Sequence, residues 1–387
     1  MLSLAIFLSI ASLLIWVALT FFRGAFWQLH AYNDDFIPAG ELQEWPAVVA
    51  IVPARNEAVT IERTVESLLL QDYPGKFRLV LVDDHSADGT AELARRAAGK
   101  SQGSPRVMIV AANKVPGGWT GKLWALQEGV EAASKDSVEY LWFTDADIVH
   151  TPDTLRRLVS RSEEQKLDLT SLMVLLQAKS FAERLLMPAF LYFFLKLYPP
   201  RWIADPKSRT AGAAGGCILL RRKALARIGG LAAIRSEVID DCALASAVKK
   251  TGGAIWMGLT RKSVSLRSYD SFAEIRDLIA RTAFTQLGYS APLLIGTLVG
   301  MLLTYVMPVV FTFSGQTLVW RLSLTAWALM AFTYLPTVRF YGLSPLWAPL
   351  LPVAAVFYSY ATWLSAVRYW LGRGGQWKGR AQAARKV

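Results

Sequence analysis

The sequence predicts an α/β domain with a mostly parallel central sheet, held between apolar segments long enough to be N-terminal and C-terminal transmembrane helices. Three observations lead there. From Ala47 onward, short apolar runs alternate with helical stretches. Polar, acid-containing clusters follow three of those runs. The apolar residues, 53% of the 387, crowd residues 1–22 and 290–372.

Each element follows from its pattern. Val48–Val52 is a short apolar strand, and Thr60–Gln71 sets Ile61, Val65, Leu68 and Leu69 on one helical face. Asp72-Tyr73-Pro74-Gly75 is a turn. Phe77–Val82 is a second strand and Asp88–Ala97 a second helix. Val107–Val110, Leu123–Ala133 and Tyr140–Phe143 repeat the scheme, and Thr151-Pro152 caps a further helix. Strands alternating with helices of this length imply right-handed crossovers and a largely parallel sheet.

In such sheets ligands bind beyond the carboxyl ends of the strands. The polar clusters fall there. Pro53-Ala54-Arg55-Asn56-Glu57 follows the first strand, Asp83-Asp84-His85-Ser86 the second, and Asp145-Ala146-Asp147 the strand Tyr140–Phe143. Packing does not explain three such clusters. A dinucleotide site is excluded because its glycine fingerprint is missing after the first strand. Gly121-Lys122 is not a P-loop either, with Pro116 at the first glycine position and Leu123 at the hydroxyl position.

Met1–Phe22 is almost uninterrupted apolar sequence ending at Arg23, without the basic start and small-residue cleavage site of a signal peptide. It reads as a signal anchor. Ala291–Phe313, Leu322–Tyr341 and Trp347–Leu371 are three further candidate spans, with tryptophans near several ends as in an aromatic belt. The organisation is therefore an anchor at 1–22, a catalytic domain at 45–285, apolar segments at 290–372 and a basic tail at 373–387. Within the domain, the apolar stretch 185–198 is too short to span, and is either a core helix or one lying in the membrane interface.

The formal net charge of +12 is placed near these segments, at Arg23, in Arg261–Arg281 and from Arg368 to Lys386. Anionic headgroups attract such residues by about 1 kcal/mol each. No nucleic-acid module is recognisable, so the expected partner is the lipid bilayer and not nucleic acid. The charges put the domain in the cytoplasm, on a multi-pass protein of the cell's inner membrane. Three further spans would then leave the basic tail outside. Either one C-terminal segment is re-entrant or interfacial, or the count differs. Cys217 and Cys242 have no metal-ligand spacing and read as buried thiols in a reducing setting.

Four motifs carry a family resemblance over Ala47 to Gly253. Val52-Pro-Ala-Arg-Asn-Glu-Ala58, Val82-Asp-Asp-His-Ser-Ala-Asp-Gly-Thr90, Gly121-Lys-Leu-Trp-Ala125 and Asp145-Ala-Asp147 resemble, in order and spacing, the motifs of family 2 glycosyltransferases of the GT-A fold. With Gln71-Asp-Tyr-Pro-Gly75 and the flanking apolar segments, the chain is similar within that family to the hopanoid-associated membrane glycosyltransferases.

The resemblance implies roles. Asp147 would ligate Mg²⁺ or Mn²⁺, with Asp145 at the ribose or in the metal's shell. A hard divalent ion takes one or two carboxylates plus substrate phosphates, which this spacing allows. An aspartate pair that merely caps a helix is the plainer reading. Asp84 would accept the uracil N–H with Pro53 packed on the base, and Arg55 and Glu57 would line the same donor site. The plainer reading has Asp84, Ser86 and Asp88 forming a turn. Lys122 would meet the diphosphate beside a helix N-terminus, or sit solvated on the surface.

Ile239-Asp240-Asp241-Cys242 resembles the family's acidic pair, with Asp240 in place of the usual Glu and Asp241 as general base. Gly212-Ala-Ala-Gly-Gly216 looks like the small-residue segment beside the acceptor. Processive relatives carry Gln-x-x-Arg-Trp where this chain has Leu278-Ile-Ala-Arg281-Thr282, which leaves Arg281 for the diphosphate.

The expected activity is inverting transfer of a sugar from a nucleotide-diphosphate donor, UDP-linked, to a membrane lipid acceptor of hopanoid type. The alternatives are a processive polysaccharide synthase and an inactive membrane scaffold that keeps the fold.

Overall fold

The computed structural model describes residues 2–34, 42–100, 106–135, 137–373, 376–377 and 380–381. The chain forms two compact units. A sheet unit takes residues 32–176, 202–267 and 376–387, and a helical unit takes residues 1–31, 177–201 and 268–375. The segments 177–201 and 268–285, expected in the catalytic domain, pack with the apolar helices instead. Most of the basic tail 373–387 lies outside the described residues.

Among the described residues the main sheet of this unit has eight strands: β1 Val48–Ala54, β2 Phe77–Asp83, β3 Arg106–Ala111, β4 Tyr140–Thr144, β5 Ile148–His150, β6 Leu169–Leu175, β7 Cys217–Arg221 and β8 Ile255–Ser265. Their order is β3-β2-β1-β4-β7-β6-β8-β5. β1 runs parallel to both β2 and β4, and β2 parallel to β3, as the alternating pattern predicts. β7 is antiparallel to β4 and β6, while β6 and β8 are again parallel. The sheet is therefore mostly parallel, with a reversed strand inserted beside β4. The order changes direction at β1 and β4, and a crevice opens at such a switch point.

Every residue of β1 is buried, which is why its sequence runs apolar without alternation. The helix Gly121–Ala132 closes on this strand at Gly129, where a Cβ would overlap the Ile51 side chain. The helix Ile61–Leu69 buries Ile61, Val65 and Leu68 against the sheet core, on the face its periodicity predicts.

Among the described residues, the helical unit contains four helices long and apolar enough to cross a membrane: Leu2–Phe22, Ala291–Thr312, Thr317–Phe340 and Pro345–Trp370. The stretch expected at 185–198 is the helix Phe181–Leu197, opened by a Ser180/Glu183 capping box. It is largely buried. Tyr192 Oη pairs with Thr333 Oγ1 at 2.8 Å, and Tyr358 Oη donates to Leu186 O at 2.9 Å.

Candidate active site

The loops after β1 and β2 are stitched together by side chains. Asn56 N donates to Ser86 Oγ at 3.0 Å, Glu57 N to Thr90 Oγ1 at 2.8 Å, and Ala58 N to Asp88 Oδ2 at 3.0 Å. Ser86 and Asp88 thus tie the loop after β2 to the loop after β1. Asn56 and His85 take the left-handed backbone, with φ of 51° and 54°. Arg55 Nη1 donates to Asp84 O and lies 3.4 Å from Asp84 Oδ2. The Asp84 side chain is only 1% exposed, whereas Oδ1 of Asp83 is buried with no hydrogen-bond partner.

The turn after β4 is pinned from behind. Thr60 Oγ1 and Thr64 Oγ1 donate to Ala146 O at 3.1 and 3.0 Å, and Leu266 N donates to Asp147 O at 2.7 Å. These bonds fix the middle of Asp145-Ala146-Asp147 and leave both carboxylates to face outward partners. Asp145 Oδ1 lies 2.9 Å from Lys122 Nζ. Asp147 Oδ2 accepts from Arg267 Nε at 2.8 Å, and Nη2 of the same arginine donates to Glu57 Oε1 at 2.7 Å.

Lys122 also lies 3.4 Å from Asp240 Oδ2, so it joins the acids of β4 to those of the helix Asp240–Lys250. It is not a solvated surface lysine. Burial alone would lower its pKa, but Asp145, Asp240 and Asp241 reverse that and hold it firmly charged. Asp241 Oδ2 accepts from Gly215 N at 2.9 Å, and Oδ1 from Cys242 N at 2.7 Å. Burial, then the neighbouring Asp240 carboxylate, pushes Asp241 up to about 6 against the pull of Lys122 and those two donors. Pro53, Lys122, Asp145, Gly215, Asp240 and Asp241 line one pocket.

Behind the pocket runs a buried polar chain. Thr144 Oγ1 donates to Gly216 O at 2.9 Å, so it accepts from Nε2–H of His150 at 2.8 Å. Nδ1 of His150 then accepts from Ser263 Oγ at 2.7 Å. Burial pushes His150 down to about 3 and keeps it neutral, a support and not a proton carrier.

The sequence reading missed Arg267, whose residue lay within the basic run Arg261–Arg281 that was assigned to lipid headgroups. Its only signal was its place directly after β8. Arg281 is not among the gathered residues: it follows the helix Phe272–Ala280 in the helical unit. Both cysteines are buried thiols outside any disulfide, as expected.

Among the described residues, no group of three or more His, Cys, Asp or Glu could hold a metal. Asp145 and Asp147 each already face a cation. Two carboxylates still fit Mg²⁺ or Mn²⁺ when a diphosphate supplies further oxygens. The residues therefore fit an ion that arrives with a nucleotide.

Comparison with known proteins agrees with this geometry. The family model described as glycosyl transferase family 2 matches residues 49–229. An N-acetylglucosaminyltransferase of Mesorhizobium japonicum is 30% identical over 129 residues, 33% of this chain and 28% of that protein. A dodecaprenyl-phosphate galacturonate synthase of Rhizobium johnstonii is 29% identical over 121 residues, 31% of this chain and 33% of that one. The chain thus spans about a third or less of these relatives' length. A mannosyltransferase from Pyrobaculum calidifontis, solved with GDP-Man and Mn²⁺, has a TM-score of 0.56 at 19% identity, covering 91% of this chain and 99% of that one. Residues 49–229 are thus similar to glycosyl transferase family 2, and the sheet unit has the GT-A fold.

Proposed function

We propose that the protein moves a sugar from a UDP-sugar to a hydroxyl of a membrane lipid, of hopanoid type, on the cytoplasmic face of the inner membrane. The observation that carries this reading is the Lys122 bridge, which joins the Asp145 side of a diphosphate site to the acid pair Asp240–Asp241. The relative named as a dodecaprenyl-phosphate galacturonate synthase supports a lipid partner.

In this reading the acids at the end of β2 accept the N–H of the base, and Asp83 brings an oxygen with no partner. Pro53 packs on the base, and Arg55 and Glu57 shape the same loop. Lys122 meets the diphosphate as a fixed charge. Asp147, with Asp145 beside it, would hold Mg²⁺ or Mn²⁺, which neutralises charge on the departing diphosphate. Asp241 takes the proton from the acceptor hydroxyl as its oxygen bonds to the anomeric carbon. The bond from that carbon to the phosphate oxygen breaks, its electron pair leaves with the nucleoside diphosphate, and the centre inverts. A positioned base contributes about 10²–10⁴-fold.

Purified protein in nanodiscs, given Mn²⁺, a panel of labelled UDP-sugars and a bacterial lipid extract, tests the reading. Labelled lipid bearing one sugar is the expected product. Polymer, or labelling from no UDP-sugar, counts against it.

A further inference from the structure

The helical unit shows where the chain turns back. If the four apolar helices each crossed the membrane in alternation, Trp370 would end on the side opposite to Ala291. The packing says otherwise. Near the end of Leu351–Trp370, Ala366 is buried with Phe284 and Leu294, and Phe284 N donates to Ser365 Oγ at 3.0 Å. Arg368 Nη2 donates to Asp277 Oδ1 at 2.7 Å. Phe284 and Asp277 precede the helix Ala291–Thr312, and Leu294 opens it. The last helix therefore ends where the first of the three C-terminal helices begins.

Its aromatic contacts give the same answer. Phe357 packs on Phe272 with ring centroids 5.8 Å apart, and Arg368 pairs with Asp277. The stretch 357–368 thus runs beside the helix Phe272–Ala280, whose Glu274, Arg276 and Asp277 are too costly to place in hydrocarbon. Tyr358 packs on Phe193, which also packs on Tyr305 inside Ala291–Thr312, so from Tyr358 to Ala366 the last helix runs back along the first part of that span. The chain reaches this helix by bending back, since Trp327 Nε1 donates to Pro349 O at 3.1 Å from within Thr317–Phe340.

The outer face fits the same position. Val353, Val356, Tyr360, Trp363 and Trp370 are exposed at helical spacing, while Ala354, Ala355, Tyr358, Ala361 and Ala366 are buried opposite them. An apolar face with tyrosine and tryptophan suits the boundary between headgroups and acyl chains.

We infer that residues 345–370 form a re-entrant, interfacial segment seated on the lipid bilayer, so the chain crosses the membrane three times. The residues after Trp370 then share a side with Phe272–Ser290, the side on which the chain leaves the sheet unit. This also resolves the charge conflict, because Arg368 and Arg373 then fall on the side where the chain enters Ala291–Thr312.

Single cysteines read out by a membrane-impermeant maleimide, in sealed vesicles of each orientation, test the inference independently of catalysis. The three positions are Arg373→Cys, Glu92→Cys in the sheet unit and Ser314→Cys in the turn after Ala291–Thr312. Arg373→Cys is expected to label with Glu92→Cys and oppositely to Ser314→Cys. Labelling of Arg373→Cys together with Ser314→Cys, or equally in both vesicle types, overturns it.

Discussion

Nε of Arg267 donates to Oδ2 of Asp147 across 2.8 Å, so the second acid of the Asp145–Asp147 pair is neutralised before any substrate arrives. The other acid is held by Lys122 at 2.9 Å. Metal and nucleotide should therefore bind together. Titration of Mn²⁺ followed by electron paramagnetic resonance is expected to show weak binding to the protein alone and much tighter binding with UDP. Arg267→Met should raise the affinity for Mn²⁺ alone roughly tenfold, equivalent to about 1.4 kcal/mol. Unchanged affinity would show that Arg267 does not compete with the ion.

The pH profile should move in opposite directions for the two neighbours of Asp241. The general base works ionised, and its pKa is raised to about 6, so transfer should fall as pH drops through that value. Asp240 raises that pKa and Lys122 lowers it. Asp240→Asn should shift the acid limb of kcat to lower pH, and Lys122→Met should shift it upward. Profiles at saturating donor would check both signs.

Gly215 is held close to the chemistry. A Cβ there would stand 3.3 Å from Lys122 Nζ and 3.4 Å from Asp241 Oδ2. Gly215→Ala should leave the melting temperature nearly unchanged and lower kcat by about 10–100-fold, the scale of a small misplacement at a reacting centre. Steady-state kinetics beside thermal unfolding separates the two effects.

Gly129 has the reverse signature. A Cβ would overlap Ile51 where the helix meets β1. Gly129→Ala gains about 1 kcal/mol of helix propensity but overpacks a tight contact at about 1–3 kcal/mol. The net expectation is a lower melting temperature with donor affinity retained in the folded fraction. A stabilised variant would mean the helix shifts freely on the sheet.

The parallel half of the sheet was legible because β1, β2 and β4 are buried and their apolar runs are bounded by turn residues. β7 was not legible as antiparallel: Cys217–Arg221 is also an apolar run, and direction is set by the long excursion from β6 through the helical unit. Asp145 and Asp147 stand out locally as acids at a strand end, whereas Asp241 is singled out only by the resemblance to the family's acidic pair. Arg267 could not, since its partners Glu57 and Asp147 are 210 and 120 residues away. Arginine in a basic run carries no mark of which carboxylate it meets. Asp84 illustrates the opposite failure, a motif acid whose burial behind Arg55 no spacing reveals.

The central claim is that Asp241 is the base of a sugar transfer from a nucleotide donor. Single-turnover transfer by Asp241→Asn, with UDP binding measured on the same preparation, tests it most directly. The account predicts UDP affinity within about threefold of the parent, a difference below 1 kcal/mol, and transfer slowed by about 10²–10⁴-fold. Transfer within tenfold of the parent, at equal UDP binding, would contradict it.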